Sequence, residues 1–166
     1  MVQCLMDDGS GGKNSPCFAA SPDGSQLVLA VRATDYEANK GKIDLWHLRR
    51  DGGELRQLTS HPAPDSDPVF APDGKSVYFL SARGETSQVF QLSLEGGEPA
   101  QVTKAPVDVN AFILSKDGKT LAFAAEVFPD CKEVDTLGCT EKRLAEQAKK
   151  KTSGKVYDQL LFRHWD

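Results

Sequence analysis

Long hydrophobic runs are missing from this chain of 166 residues. The apolar run at residues 27–31 is far shorter than the roughly 20 residues that a membrane-spanning helix needs. The first residues contain neither a basic segment nor an apolar core, so no signal peptide is predicted in the chain as written. The formal net charge is −4, and no basic stripe alternates with aromatic residues. The sequence therefore predicts no membrane span and no nucleic-acid partner.

The motifs of common catalytic and metal sites are also missing. No Gly-x-Ser-x-Gly nucleophile elbow occurs, and Gly-Lys-Asn-Ser at residues 12–15 lacks the features of a phosphate-binding loop. Asp-Ser-Asp at residues 65–67 lacks the further ligands of an EF-hand loop. The histidines are scattered and no Cys-x-x-Cys pair is present, which argues against zinc. We therefore expect no catalytic, cofactor-binding or metal-binding residues and no cofactor.

Cysteines are few. Two of the four, Cys131 and Cys139, flank a short polar segment with turn-forming residues. Such flanking thiols indicate a disulfide and therefore an oxidising compartment. The alternative is a pair of free loop cysteines in a cytosolic protein.

What the chain does contain is an internal repeat. Phe-Ala-Ala-Ser-Pro-Asp-Gly at residues 18–24 matches Phe-Ala-Pro-Asp-Gly at 70–74 and Phe-Ile-Leu-Ser-Lys-Asp-Gly at 112–118. Downstream, a Gly-Gly turn followed by Gln-x-Thr occurs twice, and Thr59 and Thr103 are 44 residues apart. Asp23 and Asp73 are 50 residues apart, and the surplus of six fits a longer loop at residues 34–41. Such a period indicates stacked units of similar structure.

Each unit contains sequence for four short strands. In the second unit these strands are expected near residues 69–70, 77–80, 88–92 and 100–103. The first two strands are joined by an Asp-Gly turn, in which the Asp side chain caps the turn and Gly accepts a positive φ. A turn role rather than a catalytic role is therefore expected for six residues: Asp23, Gly24, Asp73, Gly74, Asp117 and Gly118.

Four strands in each repeat of about 44 residues predict an all-β fold, a partial β-propeller of four-stranded antiparallel blades. Blades are expected at about 18–60, 69–104 and 111–166, the last one incomplete, after a lead-in at 1–17. An insertion at about 128–155 contains a short helix, predicted over 140–151 with Thr140 as its N-cap. Residues 157–166 are predicted to form a strand. A β-sandwich with regular turns is the alternative fold.

These motifs resemble the propeller repeats of prolyl-oligopeptidase-type serine peptidases, in particular the dipeptidyl-peptidase 5 and acylaminoacyl-peptidase branch. The resemblance covers about residues 18–166. It rests on the Ser-Pro-Asp-Gly and Gly-Gly repeats, Phe-Leu-Ser-Ala-Arg at 79–83, the Cys131 and Cys139 insertion, and Arg-His-Trp-Asp at 163–166. TolB-like propellers share the Ser-Pro-Asp-Gly repeats.

The resemblance implies a function for the propeller. In that family the propeller precedes an α/β-hydrolase domain with a Ser-Asp-His triad, and it admits short peptides but not folded proteins to a cavity between the domains. It thus implies a hydrolase-domain partner, short peptide substrates of the parent enzyme, and a periplasmic or secreted location. No triad residue can be assigned here, because His164 and Asp166 lie one residue apart without a nucleophile. We expect gating and domain packing, with no catalysis by this chain alone; the alternative is a TolB-like protein-binding propeller.

Overall fold

The computed structural model of the chain describes residues 17–150, except Glu54 and Glu133. The predicted strand at 157–166, most of the lead-in and the end of the predicted insertion lie outside the described residues. Within them, the elements follow in this order: β1 (Phe18–Ala20), β2 (Gln26–Asp35), β3 (Lys40–Arg49), β4 (Arg56–Gln57), β5 (Asp65–Phe70), β6 (Ser76–Ser81), β7 (Gln88–Ser93), β8 (Ala100–Gln101), β9 (Ala111–Leu114), β10 (Leu121–Ala124) and α1 (Thr136–Ala148).

The strands form three antiparallel units, called here blades 1, 2 and 3. Blade 1 has the strand order β1-β2-β3-β4, blade 2 has the order β5-β6-β7-β8, and blade 3 is the hairpin β9-β10. Each strand pairs with the one next to it in sequence, which is the arrangement of propeller blades. The predicted all-β partial propeller is therefore confirmed, and the described sheets do not close into a ring.

The hydrophobic core lies between the blades. Val28 and Leu45 of blade 1 have no exposed surface and form one cluster with Val77 and Phe79 of blade 2. Leu80, the next residue along β6, belongs instead to a second cluster with residues of blade 3 and the segment before it. Strand β6 is thus covered on both faces. This explains why its sequence shows no alternation of polar and apolar residues.

The fourth strands are shorter than the sequence indicates. Strands β4 and β8 have two residues each. The threonine of each Gln-x-Thr motif follows directly, and its hydroxyl accepts a hydrogen bond from a third-strand amide: Leu45 N to Thr59 Oγ1 and Val89 N to Thr103 Oγ1, both at 2.9 Å. The threonine side chains therefore hold the chain after β4 and β8 against the third strand of each blade, where the backbone ladder has already ended.

Blade 1 carries a longer hairpin than blade 2. Strands β2 and β3 have ten residues each, whereas β6 and β7 have six. The loop predicted at residues 34–41 is therefore shorter than expected and comprises residues 36–39, because the ladder continues to the pair Asp35 and Lys40. The Asp35 side chain accepts a hydrogen bond from Ala38 N at 3.0 Å, and Asn39 adopts a φ of 48°. These two features close a tight turn at the tip, so the extra residues lengthen the hairpin.

The N-cap of the helix lies five residues earlier than predicted. Asp135, not Thr140, is the N-cap, and its side chain accepts a hydrogen bond from Gly138 N at 2.9 Å. Thr140 is buried inside the helix, where its hydroxyl donates to the Thr136 carbonyl at 2.9 Å. The sequence favoured a later start because Gly138 is a poor helix former. The structure uses this glycine because a side chain there would meet the capping carboxylate.

Candidate functional site

The strand directions divide the connections between two rims of the propeller. The tight turns β1-β2, β3-β4, β5-β6, β7-β8 and β9-β10 lie on one rim, called here the turn rim. The connections β2-β3 and β6-β7, the segment that follows β10, and the links between blades lie on the other, the loop rim. Contacts between blades agree with this division: on the loop rim, Ser87 N donates to Asp108 Oδ1 at 2.7 Å and Val109 N donates to the Ser87 carbonyl at 2.8 Å.

The turn rim holds the six turn residues singled out in the sequence. The glycines Gly24, Gly74 and Gly118 have φ angles of 69°, 68° and 68°. In each turn the glycine N–H donates to the carbonyl three residues earlier at 2.9 Å. The aspartate side chain accepts from the backbone N–H two residues later, at 2.9–3.1 Å. The three turns therefore share one hydrogen-bond pattern.

Serine hydroxyls strengthen two of these aspartate caps. The Ser21 hydroxyl donates to Asp23 and the Ser115 hydroxyl donates to Asp117, both at 2.5 Å. The Ser21 bond, followed by those from Ser25, lowers the pKa of Asp23 to about 2. The Ser115 bond similarly lowers the pKa of Asp117. Carboxylates held in this way stay ionised near neutral pH, which is unsuited to general acid catalysis.

Successive turns also touch each other. A Cβ placed on Gly74 would lie 3.7 Å from Cδ of Pro22, and one on Gly118 would lie 3.1 Å from Cδ of Pro72. The glycines of the second and third turns thus pack against the proline of the turn before. The Pro-Asp-Gly sequence serves the hairpin within a blade and the contact between blades.

A buried ion pair on the loop rim was missed by the sequence analysis. Asp65 has no exposed surface and accepts two hydrogen bonds from the Arg83 guanidinium, at 3.0 and 2.9 Å. Arg83 also donates to the Ser81 hydroxyl at 2.8 Å and lies over the rings of Phe79 and Phe90, at 5.5 and 4.9 Å from their centroids. These bonds hold the short β6-β7 connection. The Phe-Leu-Ser-Ala-Arg motif was the available signal, but sequence spacing did not connect it to Asp65.

The insertion on the loop rim is cross-linked at its base. Cys131 and Cys139 are joined in the structure, with a Cα separation of 5.8 Å that suits a disulfide. Arg143 of α1 forms an ion pair with Asp130, and its guanidinium lies 5.1 Å from the ring centroid of Phe128. The helix is therefore attached to the segment just after β10. The Cys131–Cys139 disulfide stays a prediction, and peptide mapping tests it.

The described histidines do not form a nucleophilic site. His47 Nε2 contacts the Gln26 amide oxygen at 2.8 Å, and His61 Nδ1 accepts a hydrogen bond from Ala63 N at 3.1 Å. Burial, followed by the charges of two nearby arginines, lowers the pKa of His47. His164 and Asp166 lie outside the described part of the chain.

The described residues contain no group of three or more His, Cys, Asp or Glu residues arranged to hold a metal ion. Between residues 17 and 150, no helix combines the length and apolar character required to cross a bilayer.

Solved propeller structures share this fold. The AtxE2 isopeptidase superimposes with a TM-score of 0.62 at 16% identity, over 95% of this chain and 25% of that one. The acylaminoacyl peptidase of Pyrococcus horikoshii gives a TM-score of 0.55 at 17% identity, over 70% and 18%. The β-propeller domain of the Trilobed protease from Pyrococcus furiosus gives 0.51 at 17% identity, over 65% and 33%. At these identities the likeness shows the fold alone.

Curated relatives are similar in sequence. Dipeptidyl-peptidase 5 of Porphyromonas endodontalis is 28% identical over 155 residues, 90% of this chain and 20% of that protein. Dipeptidyl-peptidase 5 of Porphyromonas gingivalis is 33% identical over 72 residues, 43% and 10%. The TolB homolog of Chlorobium luteolum is 42% identical over 55 residues, 33% and 13%. The chain therefore spans between a tenth and a fifth of the length of these relatives.

These similarities confirm the predicted resemblance to peptidase propellers and to TolB-like propellers. The sequence profile of the TolB beta propeller domain matches residues 5–147. The chain therefore belongs to the TolB β-propeller domain family.

Proposed function

We propose that this chain is the propeller portion of a serine exopeptidase or oligopeptidase. In this role it packs on an α/β-hydrolase domain and restricts the catalytic cavity to short peptides. The observation that carries the proposal is the extent of the sequence likeness. Similarity to Dipeptidyl-peptidase 5 extends over 90% of the chain, whereas similarity to the TolB homolog covers 33%.

The contrast between the two rims supports a docking role for the loop rim. The turn rim repeats one hydrogen-bond pattern in all three blades. On the loop rim, blade 1 has an extended hairpin, blade 2 has a short connection tied by an ion pair, and blade 3 is followed by a cross-linked helix. Connections that contact a second domain or a substrate differ in shape, whereas connections that only join strands can repeat. We therefore assign the loop rim to the hydrolase domain.

The proposed location is periplasmic or secreted. Its support is the Cys131 and Cys139 pair, because disulfides persist in oxidising compartments. A peptidase there would meet short peptides outside the cytosol.

The test uses the protein encoded by the whole gene, beside the 166-residue chain. We expect the gene to encode a Gly-x-Ser-x-Gly motif after this segment, and the whole protein to hydrolyse dipeptidyl chromogenic substrates. A fluorophosphonate should label that serine and abolish the activity, and the 166-residue chain should show none. Gating predicts that kcat/KM falls steeply between short peptides and a folded protein that contains the same cleavage sequence. Equal values for both would contradict gating.

A TolB-like protein-binding propeller is the second candidate. Its support is the family match over residues 5–147 and the 42% identity to the TolB homolog. Further propeller repeats after this segment, without a serine that reacts with fluorophosphonate, would favour it over the peptidase.

A further inference from the structure

We propose that a groove between blades 1 and 2 binds a phosphate group that retains a P–OH. The groove, called here the phosphate groove, opens on the turn rim and has a volume of about 710 Å³. Strands β3 and β4 of blade 1 form one wall, and the β5-β6 and β7-β8 turns of blade 2 form the other. The groove lies on the rim opposite the one assigned to the hydrolase domain, so this inference goes beyond the proposed function and does not depend on it.

A buried histidine lines the phosphate groove and has one ring nitrogen without a partner. His47 is only 7% exposed, and its Nε2 lies 2.8 Å from the Gln26 amide oxygen. Because an amide oxygen only accepts, Nε2 carries the ring proton and Nδ1 has a free lone pair. Nδ1 has no hydrogen-bond partner among the described residues, yet it is not sealed off from solvent. The rest of the ring is enclosed, so Nδ1 presents an acceptor to a ligand in the groove.

Nearby positive charges keep His47 neutral. Arg56 lies directly opposite His47 in the β3-β4 ladder. Burial, followed by the charges of Arg56 and Arg49, lowers the pKa of His47. A neutral imidazole whose Nε2 proton is already donated only accepts at Nδ1. A ligand must therefore bring a hydrogen-bond donor of its own, and the same arginines favour a ligand with negative charge.

The lining residues have an excess of positive charge. Arg56 donates through Nη2 to a backbone carbonyl of blade 2 at 2.6 Å, which leaves its other N–H groups available. Neither Arg56 nor Lys75 has an ion-pair partner in the described part of the chain. Arg49 also lines the groove but is paired with Asp51, and Glu95 is the single carboxylate among the lining residues. Two cations thus remain to bind an anion.

The internal repeat shows that the blade fold does not require these charges. With an offset of 44 residues, His47 corresponds to Gln91 in blade 2. Its ladder partner Arg56 corresponds to Ala100. Gln91 donates to Ser76 Oγ at 2.9 Å, just as His47 bonds across to β2. Blade 2 therefore keeps the cross-strand hydrogen bond but has neither the imidazole nor the cation at this position, which indicates a role other than folding for them in blade 1.

A hydrogen phosphate group matches both the acceptor and the cations. Its P–OH donates to His47 Nδ1, and its charged oxygens accept from Arg56 and Lys75. A sulfate or a carboxylate has negative charge but no hydrogen at neutral pH, so it binds there only after His47 takes up a proton. The volume lies within the roughly 300–1,000 Å³ of small-molecule sites, so the phosphate is either the free ion or part of a small ester.

The experiment measures binding of inorganic phosphate to the protein encoded by the whole gene, by isothermal titration calorimetry at about pH 7.5 and about pH 5.5, on either side of the ordinary histidine pKa. Sodium sulfate is the anion without a hydrogen. Methyl phosphate, which retains its P–OH at the lower pH, presents the group as an ester. Comparing these ions on the unaltered protein requires no variant.

The variants use the repeat as a guide. His47→Gln and Arg56→Ala introduce the residues that blade 2 has at these positions, so they suit the blade fold. Lys75→Gln removes the second cation. Lys119→Gln is the matched control, because Lys119 follows the Asp-Gly turn of blade 3 as Lys75 follows that of blade 2, and it does not line the groove.

We expect phosphate to bind about tenfold more tightly than sulfate at the higher pH, as for one hydrogen bond to a charged group. The preference should shrink at the lower pH, because protonated His47 donates to sulfate. In His47→Gln, sulfate should gain no affinity on acidification, because glutamine takes up no proton. Arg56→Ala and Lys75→Gln should each weaken phosphate binding by up to about fivefold, and Lys119→Gln should have no effect.

The two sources of the phosphate group give different results. Binding of methyl phosphate would identify an ester as the ligand, and its failure beside bound inorganic phosphate would identify the free ion; both support the proposal. No binding of phosphate at millimolar concentration, equal binding of sulfate at the higher pH, or groove variants that behave like Lys119→Gln would overturn it.

Discussion

Replacing Arg83 with methionine should remove the partner of a buried carboxylate. Asp65 has no exposed surface, and both of its oxygens accept hydrogen bonds from Arg83, whose side chain is 16% exposed. Removing one member of a buried ion pair costs about 3–5 kcal/mol, because the remaining charge is left without compensation. Methionine keeps contact with the Phe79 and Phe90 rings, so little packing is lost. We therefore expect R83M to lower the free energy of unfolding by about 3 kcal/mol.

Two control variants separate the effect of burial from the loss of a charge. Arg49 and Asp51 form an ion pair whose side chains are 63% and 57% exposed, and R49M should cause no measurable loss. The double variant D65N/R83M removes both charges and should be more stable than R83M. Equilibrium urea unfolding, followed by tryptophan fluorescence and far-UV circular dichroism, measures all of these variants. An R83M protein as stable as R49M, or a double variant no better than R83M, would refute the reasoning.

Further predictions concern the turns, a histidine, the disulfide and the assembly. Gly118→Ala and Gly24→Ala should each lower the free energy of unfolding by about 1–2 kcal/mol, because both glycines have positive φ. Gly118→Ala should cost more, because its Cβ would meet the preceding turn's proline at 3.1 Å. Equal changes in Tm would contradict the contact between turns. The lowered pKa of His47 means that the folded state resists its protonation. Stability should therefore fall as pH drops below the ordinary value of 6.5, and His47→Gln should flatten this slope in urea titrations; an unchanged slope would exclude His47 as its cause. Non-reducing peptide mapping should recover Cys131 linked to Cys139. By loop entropy this cross-link stabilises the folded chain by about 2–3 kcal/mol. Alkylation of both thiols in protein made in an oxidising compartment would contradict the disulfide. The 166-residue chain should self-associate in light-scattering chromatography, because terminal blades leave apolar faces uncovered; a compact monomer that unfolds cooperatively would show a self-sufficient domain.

The sequence alone determined the repeat, the blade strands and the turn rim. These features depend on neighbours within a few residues. Asp23 caps a turn through the N–H two residues on, and Gly24 supplies the φ of 69°. Residues 77–80 of β6 are apolar throughout, a pattern typical of a strand that is covered on both faces.

Only the tertiary structure decided how the loop rim is arranged. Asp65 and Arg83 are 18 residues apart and meet because β5 and β6 are antiparallel neighbours. The start of α1 depends on which side chain caps the unpaired N–H groups of its first turn. The Asp135 carboxylate does so by accepting from Gly138 N. Residues 34, 35, 40 and 41 joined the strands because the ladder of the hairpin continued, although the polar sequence of residues 34–41 indicates a loop. Residues 108, 126 and 144 line one cavity, and they come together only when the insertion folds back on blade 3. Turn chemistry acts over a few bonds and is therefore visible in sequence, whereas these contacts depend on distances that the packing of separate segments sets.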